Sequence, residues 1–391
     1  MIYRKARIPV ILICLAVFCL LVGLLSLHSS VSSAAEKIIK IGGLVDLTGP
    51  TAISGKEYLK AVNDQIKIVN DKGGINGQKV EILWEDTRWK TPETIKAFQK
   101  FAQQDKVLAM IGWAALDIDA YLPLQKTYRI PYVHASFKEA YYDAKENPYV
   151  YPICASYISQ IKAAMKYFKK TWKGSSKPKV GFVVLPIYKV ELDAAREYAK
   201  ELDMEVVDIQ TVPIPTVDSK PQLINLAKFK PDLTFNFNNV QWAAVVVKDA
   251  MALGLKTTWA GHAWAGYELL PELAGEAAEG FLEAHPVAMY GDDVPGMKKL
   301  TAINPGEKFT TPYTFGAIVS WVLFEGIKRA GGDPTSEGVK KGLETIQNFD
   351  TGGLTGTPIS YSPTNHVPTK TCRIYVLEKG KFVYKENIIG E

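Results

Sequence analysis

The sequence predicts an α/β protein with parallel sheets, arranged as two successive blocks of one pattern. Short runs rich in β-branched and aromatic residues alternate with segments of helical periodicity, which is typical of βαβ units. The pattern restarts after about Tyr151, and a length of 391 residues suits two domains. With 47% hydrophobic and 22% charged residues, the composition excludes disorder, a collagen-like chain and a polytopic membrane protein.

The first block alternates predicted strands with predicted helices. The strands are 38–45, 80–84, 108–112 and 132–135, and the helices are 55–71, 92–104 and 121–128. Parallel strands need a crossover connection, and an amphipathic helix is the usual one. We therefore expect one parallel sheet covered by these helices.

The second block repeats this order and is followed by a third segment. Its predicted strands are 180–185, 205–212, 233–237 and 258–260, with helices at 192–202, 222–228 and 243–254. The third segment predicts helices at 315–330 and 336–346, and Gly331, Gly332 and Pro334 end the first of them. Two β-rich runs, 373–378 and 381–384, flank Gly380 and predict a hairpin.

The N-terminal segment predicts export. Residues 1–34 combine Arg4, Lys5 and Arg7 with an apolar run over 8–27 and a stretch of small residues, the pattern of a signal peptide. The alternative is an uncleaved membrane anchor, since the apolar run is long enough to span a bilayer. Either way, we expect the protein in the periplasm or on the extracytoplasmic face.

Export changes the charge and the cysteine content. Removing residues 1–34 leaves 43 Lys and Arg against 41 Asp and Glu, so the net charge falls from +5 to +2. Such a chain, without a basic block, has no electrostatic footprint for nucleic acid, and none is expected as a partner. Cys154 and Cys372 remain, and they could form a disulfide or lie buried as free thiols.

Catalytic motifs are missing from the sequence. It contains no G-x-S-x-G, H-E-x-x-H or C-x-x-C pattern, and none of the four histidines beyond the signal has a second His or Cys at ligand spacing. Residues 49–56 resemble a phosphate-binding loop, but the spacing is one residue too long and Glu57 replaces the required Ser or Thr. We expect no enzymatic activity, no cofactor and no metal.

Several segments resemble a known family. Residues 39–87, with the Leu47-Thr48-Gly49-Pro50 turn and the run Asn-Asp-Lys-Gly-Gly-Ile-Asn-Gly at 70–77, resemble the opening of periplasmic solute-binding proteins of the branched-chain amino-acid type, which serve ABC importers. Residues 111–133, 274–286 and 380–385 extend the resemblance over most of the exported chain.

The resemblance implies a type I periplasmic-binding fold. Two Rossmann-like lobes with parallel sheets would be joined by three hinge crossovers and would close on one ligand. We expect lobe I at 36–155 plus 288–357, lobe II at 156–285 plus 365–391, and crossovers near 152–156, 282–287 and 358–364.

The resemblance also implies a function. The protein would be a non-enzymatic, monomeric receptor that delivers a small-molecule solute to a membrane permease and its ATPase. The alternatives are binding of branched-chain amino acids proper, or a sensory ligand-binding module that acts on a membrane partner.

Open α/β sheets bind ligands at the carboxyl ends of their strands, so the residues that follow the strands are the candidate site. The predicted ligand-binding residues are Trp113, Ala114, Ala115, His134, Ser136, Tyr157, Tyr188, Asn239, Trp242, His262 and Trp264. The alternative for each tryptophan is packing in the core.

The predicted site departs from the family pattern. Relatives that bind α-amino acids use hydroxyls in the loops that correspond to 113–116 and 134–138 for the carboxylate, and acids of lobe II for the ammonium. Here Trp-Ala-Ala-Leu replaces the first hydroxyl cluster, and 156–160 and 262–264 lack the acids. The aromatic, neutral character predicts a small apolar or aromatic carboxylate or amino acid, oriented by Ser136, His134 or His262.

Overall fold

Two β-sheets organise residues 37–391, which are the residues that this computed structural model describes. The first sheet has the order β2-β1-β3-β4-β5. Its strands are β1 (Ile38–Val45), β2 (Lys79–Asp86), β3 (Ala109–Gly112), β4 (Tyr132–His134) and β5 (Val150–Pro152). The pairs β1–β3, β3–β4 and β4–β5 are parallel, as the alternation of strands and helices predicts.

The second sheet has the order β12-β11-β10-β9-β8-β6-β7. Its strands are β6 (Lys179–Val184), β7 (Glu205–Thr211), β8 (Leu233–Phe237), β9 (Thr258–Gly261), β10 (Leu282–His285), β11 (Thr371–Glu378) and β12 (Lys381–Ile389). The last two strands pair antiparallel and extend the sheet from β10, so the predicted C-terminal hairpin is confirmed. Residues 282–285, expected to belong to a crossover, form β10 and pair in this sheet.

The helices that connect the strands of the first sheet complete lobe I. They are α1 (Ala52–Asp71), α2 (Thr91–Lys100), α3 (Ala115–Tyr121) and α4 (Gln125–Tyr128), with a π-helical turn at Phe101–Asp105 and a 3₁₀ turn at Glu139–Tyr142. The sequence predicts one helix over 121–128, and this was wrong. Pro123 has no N–H and its ring clashes with the preceding turn, so the chain forms two short helices around it.

Lobe II is built on the second sheet. Its helices are α5 (Tyr157–Thr171), α6 (Lys189–Glu201), α7 (Lys220–Ala227), α8 (Val240–Ala252) and α9 (Leu269–Ala274). The Ser156 hydroxyl accepts a hydrogen bond from the Ser159 N–H at 3.2 Å, which caps α5 at its start. Helix α5 therefore begins directly after β5, where the chain leaves the first sheet.

The third segment returns to the first sheet. It contains α10 (Pro295–Ile303), α11 (Thr311–Ala330) and α12 (Ser336–Glu344). Helix α11 packs along α1 and contacts β3 and β4. The approach is close: a Cβ at Gly316 would lie 2.7 Å from the Tyr58 carbonyl oxygen, so only glycine fits there.

Two further expectations concern cysteines and the membrane. Cys154 and Cys372 are both buried free thiols. Within residues 37–391, every helix is too short or too polar to cross a bilayer. The predicted signal, 1–34, lies outside the described residues.

Candidate ligand-binding cleft

A narrow cavity lies between the two lobes, at the carboxyl ends of their strands. It is lined by Trp89, Trp113, Ala114, Ala115, Ser136, Tyr157, Ile187, Tyr188, Asn239 and Trp264. The enclosed volume is about 10 Å³, so the side chains nearly fill the space between the lobes. All of these residues except Trp89 and Ile187 belong to the predicted site.

Two indole rings from opposite lobes meet in this cavity. The ring centroids of Trp113, which follows β3, and Trp264, which follows β9, are 4.5 Å apart with the planes inclined by 34°. The Trp264 Nε1–H donates across the cleft to the Ala135 carbonyl oxygen at 3.1 Å. Each indole is 3% exposed, so both are buried and both line the cavity.

Tyr157 and Tyr188 form the lobe II side of the cavity. Their rings are 5.6 Å apart in an edge-to-face arrangement, and each packs edge-on against Phe237. Tyr157 is the first residue of α5, and Tyr188 immediately precedes α6. Burial raises the pKa of both phenols, which therefore keep their protons and can donate hydrogen bonds.

The two predicted histidines lie beside the cavity and do not line it. The Nδ1 atom of His134 accepts from the Ser136 N–H at 3.3 Å, and that of His262 accepts from the Trp264 N–H at 3.1 Å. Burial lowers the pKa of each histidine to about 3, so both are neutral at physiological pH. They hold the loops that carry Ser136 and Trp264, and they bring no positive charge to a ligand.

Trp242 also lies outside the cavity. It packs against Trp89, with ring centroids 5.5 Å apart, and Trp89 reaches the cavity instead. Trp89 follows β2 and is not among the predicted site residues. Arg88 and Trp89 both have positive φ, 51° and 55°, and this tight turn after β2 was not foreseen.

The lobes contact each other around the cavity. The Gln241 side-chain amide donates to the Pro50 carbonyl oxygen at 2.9 Å, and the hydroxyls of Ser54 and Tyr267 lie 2.9 Å apart. The Trp264–Ala135 hydrogen bond adds a third link between the lobes. Together these contacts define a closed arrangement of the cleft.

A buried acid near the cavity was also missed by sequence reasoning. Glu191, in the first turn of α6, is 1% exposed and lies one helical turn beyond Tyr188. Its charge acts on the phenols of Tyr157 and Tyr188, which places it close to both. The spacing of three residues from Tyr188 on one helix face was the available signal.

Neutral groups stand where an acid was expected. Gln160 is fully buried, and its Oε1 accepts from the Ala263 N–H at 3.0 Å while its Nε2 donates to the Ala155 carbonyl oxygen at 2.8 Å. The amide thus links α5 to the loop that carries Trp264. Gln160 is committed to the protein backbone on both sides.

In the loop that resembles a phosphate-binding motif, the hydrogen-bond donors bind the side chain of Asp46. The Asp46 carboxylate accepts hydrogen bonds from the N–H groups of Gly49 and Thr51, at 2.6 and 2.8 Å, and from the Thr51 hydroxyl at 2.7 Å. Donors that would hold a phosphate are therefore used within the turn. The likeness of residues 49–56 to a phosphate-binding loop therefore does not indicate phosphate binding.

Comparisons with known proteins extend these observations. The family model described as periplasmic binding protein matches residues 38–381. The structure is similar to a branched-chain amino-acid ABC transporter protein from Thermus thermophilus with bound valine, with a TM-score of 0.83 and 26% identity over 90% of this chain and 97% of that one. It is also similar to a solute-binding protein from Rhodopseudomonas palustris BisB5 in complex with 3,4-dihydroxybenzoic acid, with a TM-score of 0.78 and 19% identity over 90% and 98% of the two chains.

Among curated proteins, the Leu/Ile/Val-binding protein homolog 4 of Brucella melitensis biotype 1 is 25% identical over 327 residues, which are 72% of this chain and 77% of the relative. The chain spans about a fifth of the length of other Leu/Ile/Val-binding relatives that it matches. The family match, by contrast, covers every strand before β12 and every cleft residue. The chain belongs to the periplasmic binding protein family.

Proposed function

We propose that this protein is an extracytoplasmic receptor of an ABC importer that closes its two lobes on a small carboxylate with an apolar or aromatic body. The observation that carries this proposal is the chemistry of the cavity between the lobes. Its lining combines large aromatic rings with unpartnered hydrogen-bond donors and contains no charged side chain.

Helix dipoles favour an anion in this cavity. Tyr157 begins α5, Tyr188 precedes α6 and Asn239 precedes α8, and all three residues line the cavity. The first turn of a helix exposes N–H groups and a partial positive charge, which stabilise a negative group. Three such helix starts therefore compensate for the absence of a Lys or Arg in the lining.

Two side chains of lobe I supply specific donors. Within residues 37–391, Trp113 Nε1 is buried without a hydrogen-bond partner, and the buried Ser136 hydroxyl lies beside the Tyr157 hydroxyl without a hydrogen bond of good geometry; both residues line the cavity. A buried donor without a partner costs about 1 to 3 kcal/mol. A carboxylate of the ligand, accepting from both, would recover this free energy.

The rest of the lining suits an apolar body. Trp89, Trp113 and Trp264 present flat rings, and Ala114, Ala115 and Ile187 present small or aliphatic surfaces. Aromatic rings give a large contact area with few rotatable bonds. Glu191 lies beside the cavity without lining it, so the lining itself has no acid to pair with an ammonium, and we favour a simple carboxylate over a branched-chain amino acid.

The lobe boundaries and the cellular setting are part of the proposal. We infer lobe I at 36–155 plus 288–357 and lobe II at 156–285 plus 365–391, with hinges at the three crossovers, the second of them after His285. The predicted signal and the family both favour an exported protein, and we propose that it acts as a monomer with a permease and ATPase as partners.

A thermal-shift panel tests the ligand class. Benzoate, 3,4-dihydroxybenzoate, phenylacetate and 4-methylpentanoate are compared with valine and leucine. A ligand at 100 times its Kd adds about 2.7 kcal/mol to the unfolding free energy, which raises the melting temperature by several degrees. A rise with the simple carboxylates supports the proposal, whereas a rise with valine and leucine alone contradicts the ligand class.

The two lobe I donors, Trp113 Nε1–H and the Ser136 hydroxyl, give a more specific prediction. Trp113→Phe keeps an aromatic ring but removes Nε1–H, and Ser136→Ala removes the hydroxyl. Each variant is expected to bind the best carboxylate of the panel about 10-fold more weakly, because a hydrogen bond to a charged group contributes about 1.5 to 3 kcal/mol. Calorimetric titration measures the Kd, with the corresponding uncharged amide as the control ligand. An equal loss for acid and amide would show that these donors do not read the carboxylate.

A further inference from the structure

Two acidic side chains meet where the lobes close. Glu139 belongs to the 3₁₀ turn of lobe I, and Glu191 to the first turn of α6 in lobe II. The Glu139 main-chain N–H donates to Glu191 Oε1 at 3.3 Å across the boundary between the lobes. This contact lies beside the cavity, because Glu191 is close to both Tyr157 and Tyr188.

One oxygen of each carboxylate is buried without a hydrogen-bond partner. Within the described part of the chain, Glu139 Oε2 and Glu191 Oε2 are inaccessible to water and have no hydrogen-bond partner. An ionised carboxylate in that position is costly, and a second negative group beside it adds to the cost. Burial raises the pKa of Glu191, Glu139 raises it further, and the main-chain N–H groups and Lys138 oppose the rise.

The surrounding charged groups do not neutralise the pair. Lys138 Nζ is 2.8 Å from Asp119 Oδ2, and the Tyr141 hydroxyl donates to the other Asp119 oxygen at 2.8 Å. Tyr157 and Tyr188 beside Glu191, and Tyr142 beside Glu139, are phenols whose pKa values burial raises. Lys138 is thus already paired with Asp119, and one hydrogen bond, from the Glu139 main chain to the Glu191 carboxylate, joins the two glutamates.

We propose that closure of the two lobes takes up one proton at the Glu139–Glu191 pair, so that acidity favours the closed, ligand-retaining form. In the open form, the Glu139–Glu191 contact is broken and water reaches both carboxylates. On closing, one carboxylate oxygen of the pair binds a proton from solvent and becomes a neutral carboxyl group. The inference concerns the regulation of the proposed binding site and rests on that function only for its link to ligand affinity.

The direction of the pH effect follows from linkage. The closed form holds the proton at pH values where the open form has lost it, so the closed fraction is largest at low pH. It falls as the pH rises from the ordinary range of glutamate through the higher pKa of the closed form. Within that window, a single proton changes the ratio of closed to open molecules by up to about tenfold for each pH unit.

The titration of other ionisable groups near the cleft can be distinguished from that of the Glu139–Glu191 pair. The pKa values of His134 and His262, about 3, lie below the range tested. Asp117 has a pKa raised by burial to about 7, but its hydroxyl partners, Thr87 and Thr94, belong to its own lobe. Glu268 is half-buried between the lobes, and both of its oxygens accept main-chain N–H bonds, so it lacks the orphan oxygen of Glu191.

Small-angle X-ray scattering of the ligand-free protein between pH 4.5 and 8 measures closure without any ligand. The radius of gyration is expected to fall as the pH falls. In Glu191→Gln, whose neutral amide still accepts the Glu139 N–H bond, it should stay near its low-pH value throughout. Glu197→Gln, on the exposed side of the same helix, is the matched control and should behave like the wild type.

Two results of the scattering experiment would overturn the proposal. A pH dependence that persists unchanged in Glu191→Gln, or a wild-type radius that is constant over this range, overturns the proposal. Circular dichroism confirms that each variant folds. If closure responds to pH but no carboxylate of the panel binds, the ligand class fails and the proton site stands. If carboxylates bind with a pH-independent Kd and the radius of gyration is constant, the ligand class stands and the proton site fails.

Discussion

Replacing Trp264 with alanine is expected to weaken ligand binding about 100-fold. The indole forms one wall of the cavity and lies against the tilted ring of Trp113. Its centroid is 5.1 Å from that of Phe315, and its Nε1–H donates across the cleft to the Ala135 carbonyl oxygen. The substitution removes ligand contacts and a bond that exists only when the lobes are closed. A buried aromatic at the centre of an interface contributes about 2 to 4 kcal/mol, and 1.4 kcal/mol is tenfold in Kd.

Two further variants separate the causes. Trp264→Phe keeps a ring but not the Nε1–H donor, and a loss of about fivefold is expected from one neutral hydrogen bond. Trp172→Phe serves as the control, because Trp172 lies just after the far end of α5 and bonds to Ser176. Calorimetry measures each Kd, and unfolding of the ligand-free protein should change little. A large loss of stability without ligand would instead show that Trp264 is a core residue.

Replacing Glu283 with glutamine is expected to stabilise the protein at neutral pH, by an amount that grows as the pH rises. Glu283 lies in β10, is fully buried, and neither carboxyl oxygen has a partner within residues 37–391. Its carboxyl group fills space that glycines leave free, since a Cβ at Gly266 would lie 2.1 Å from Oε2. Burial raises the pKa of Glu283 well above its usual range.

The direction of this pH dependence follows from the difference in bound protons between the folded and the unfolded protein. The folded form keeps the Glu283 proton, whereas the unfolded chain loses it above about pH 4.3, so the wild type loses about 1.4 kcal/mol per pH unit until the folded pKa is reached. Glu283→Gln has no such loss, and Glu283→Met also removes the unpaired polar atoms, so we expect it to be the most stable of the three.

Urea unfolding at several pH values between 4.5 and 8 measures the difference, with the exposed Glu276→Gln as the control. Parallel pH profiles for Glu283→Gln and the wild type would exclude a buried proton at this position.

Much of the cleft could be predicted from the sequence because the carboxyl ends of parallel strands are recognisable. Trp113 follows β3 and Ser136 follows β4, and both line the cavity. Tyr157 and Tyr188 were found in the same way, since each stands at the start of a helix after a strand. Strand-end geometry is local, and local patterns can be read from a chain.

Side-chain direction is set by the opposite lobe and could not be read in this way. Trp242 and Trp89 both follow strands, but only Trp89 lines the cavity, because the two rings pack against each other. His262 follows β9 as Trp264 does, yet its ring turns towards Phe237 and binds its own loop. Glu191 is buried where it accepts a hydrogen bond from the Glu139 main chain, 52 residues away in sequence.

The packing of α11 on α1 has a consequence for how the chain folds. Helix α1 buries Tyr58, Ala61 and Val62 under a helix that begins at Thr311, so the core of lobe I joins two distant parts of the chain. Contacts between distant segments form slowly, because a long loop must close before any of them is made. Lobe I therefore stays unfinished until most of the polypeptide has been synthesised, and a fragment ending at β10 would leave the apolar face of α1 exposed to aggregation.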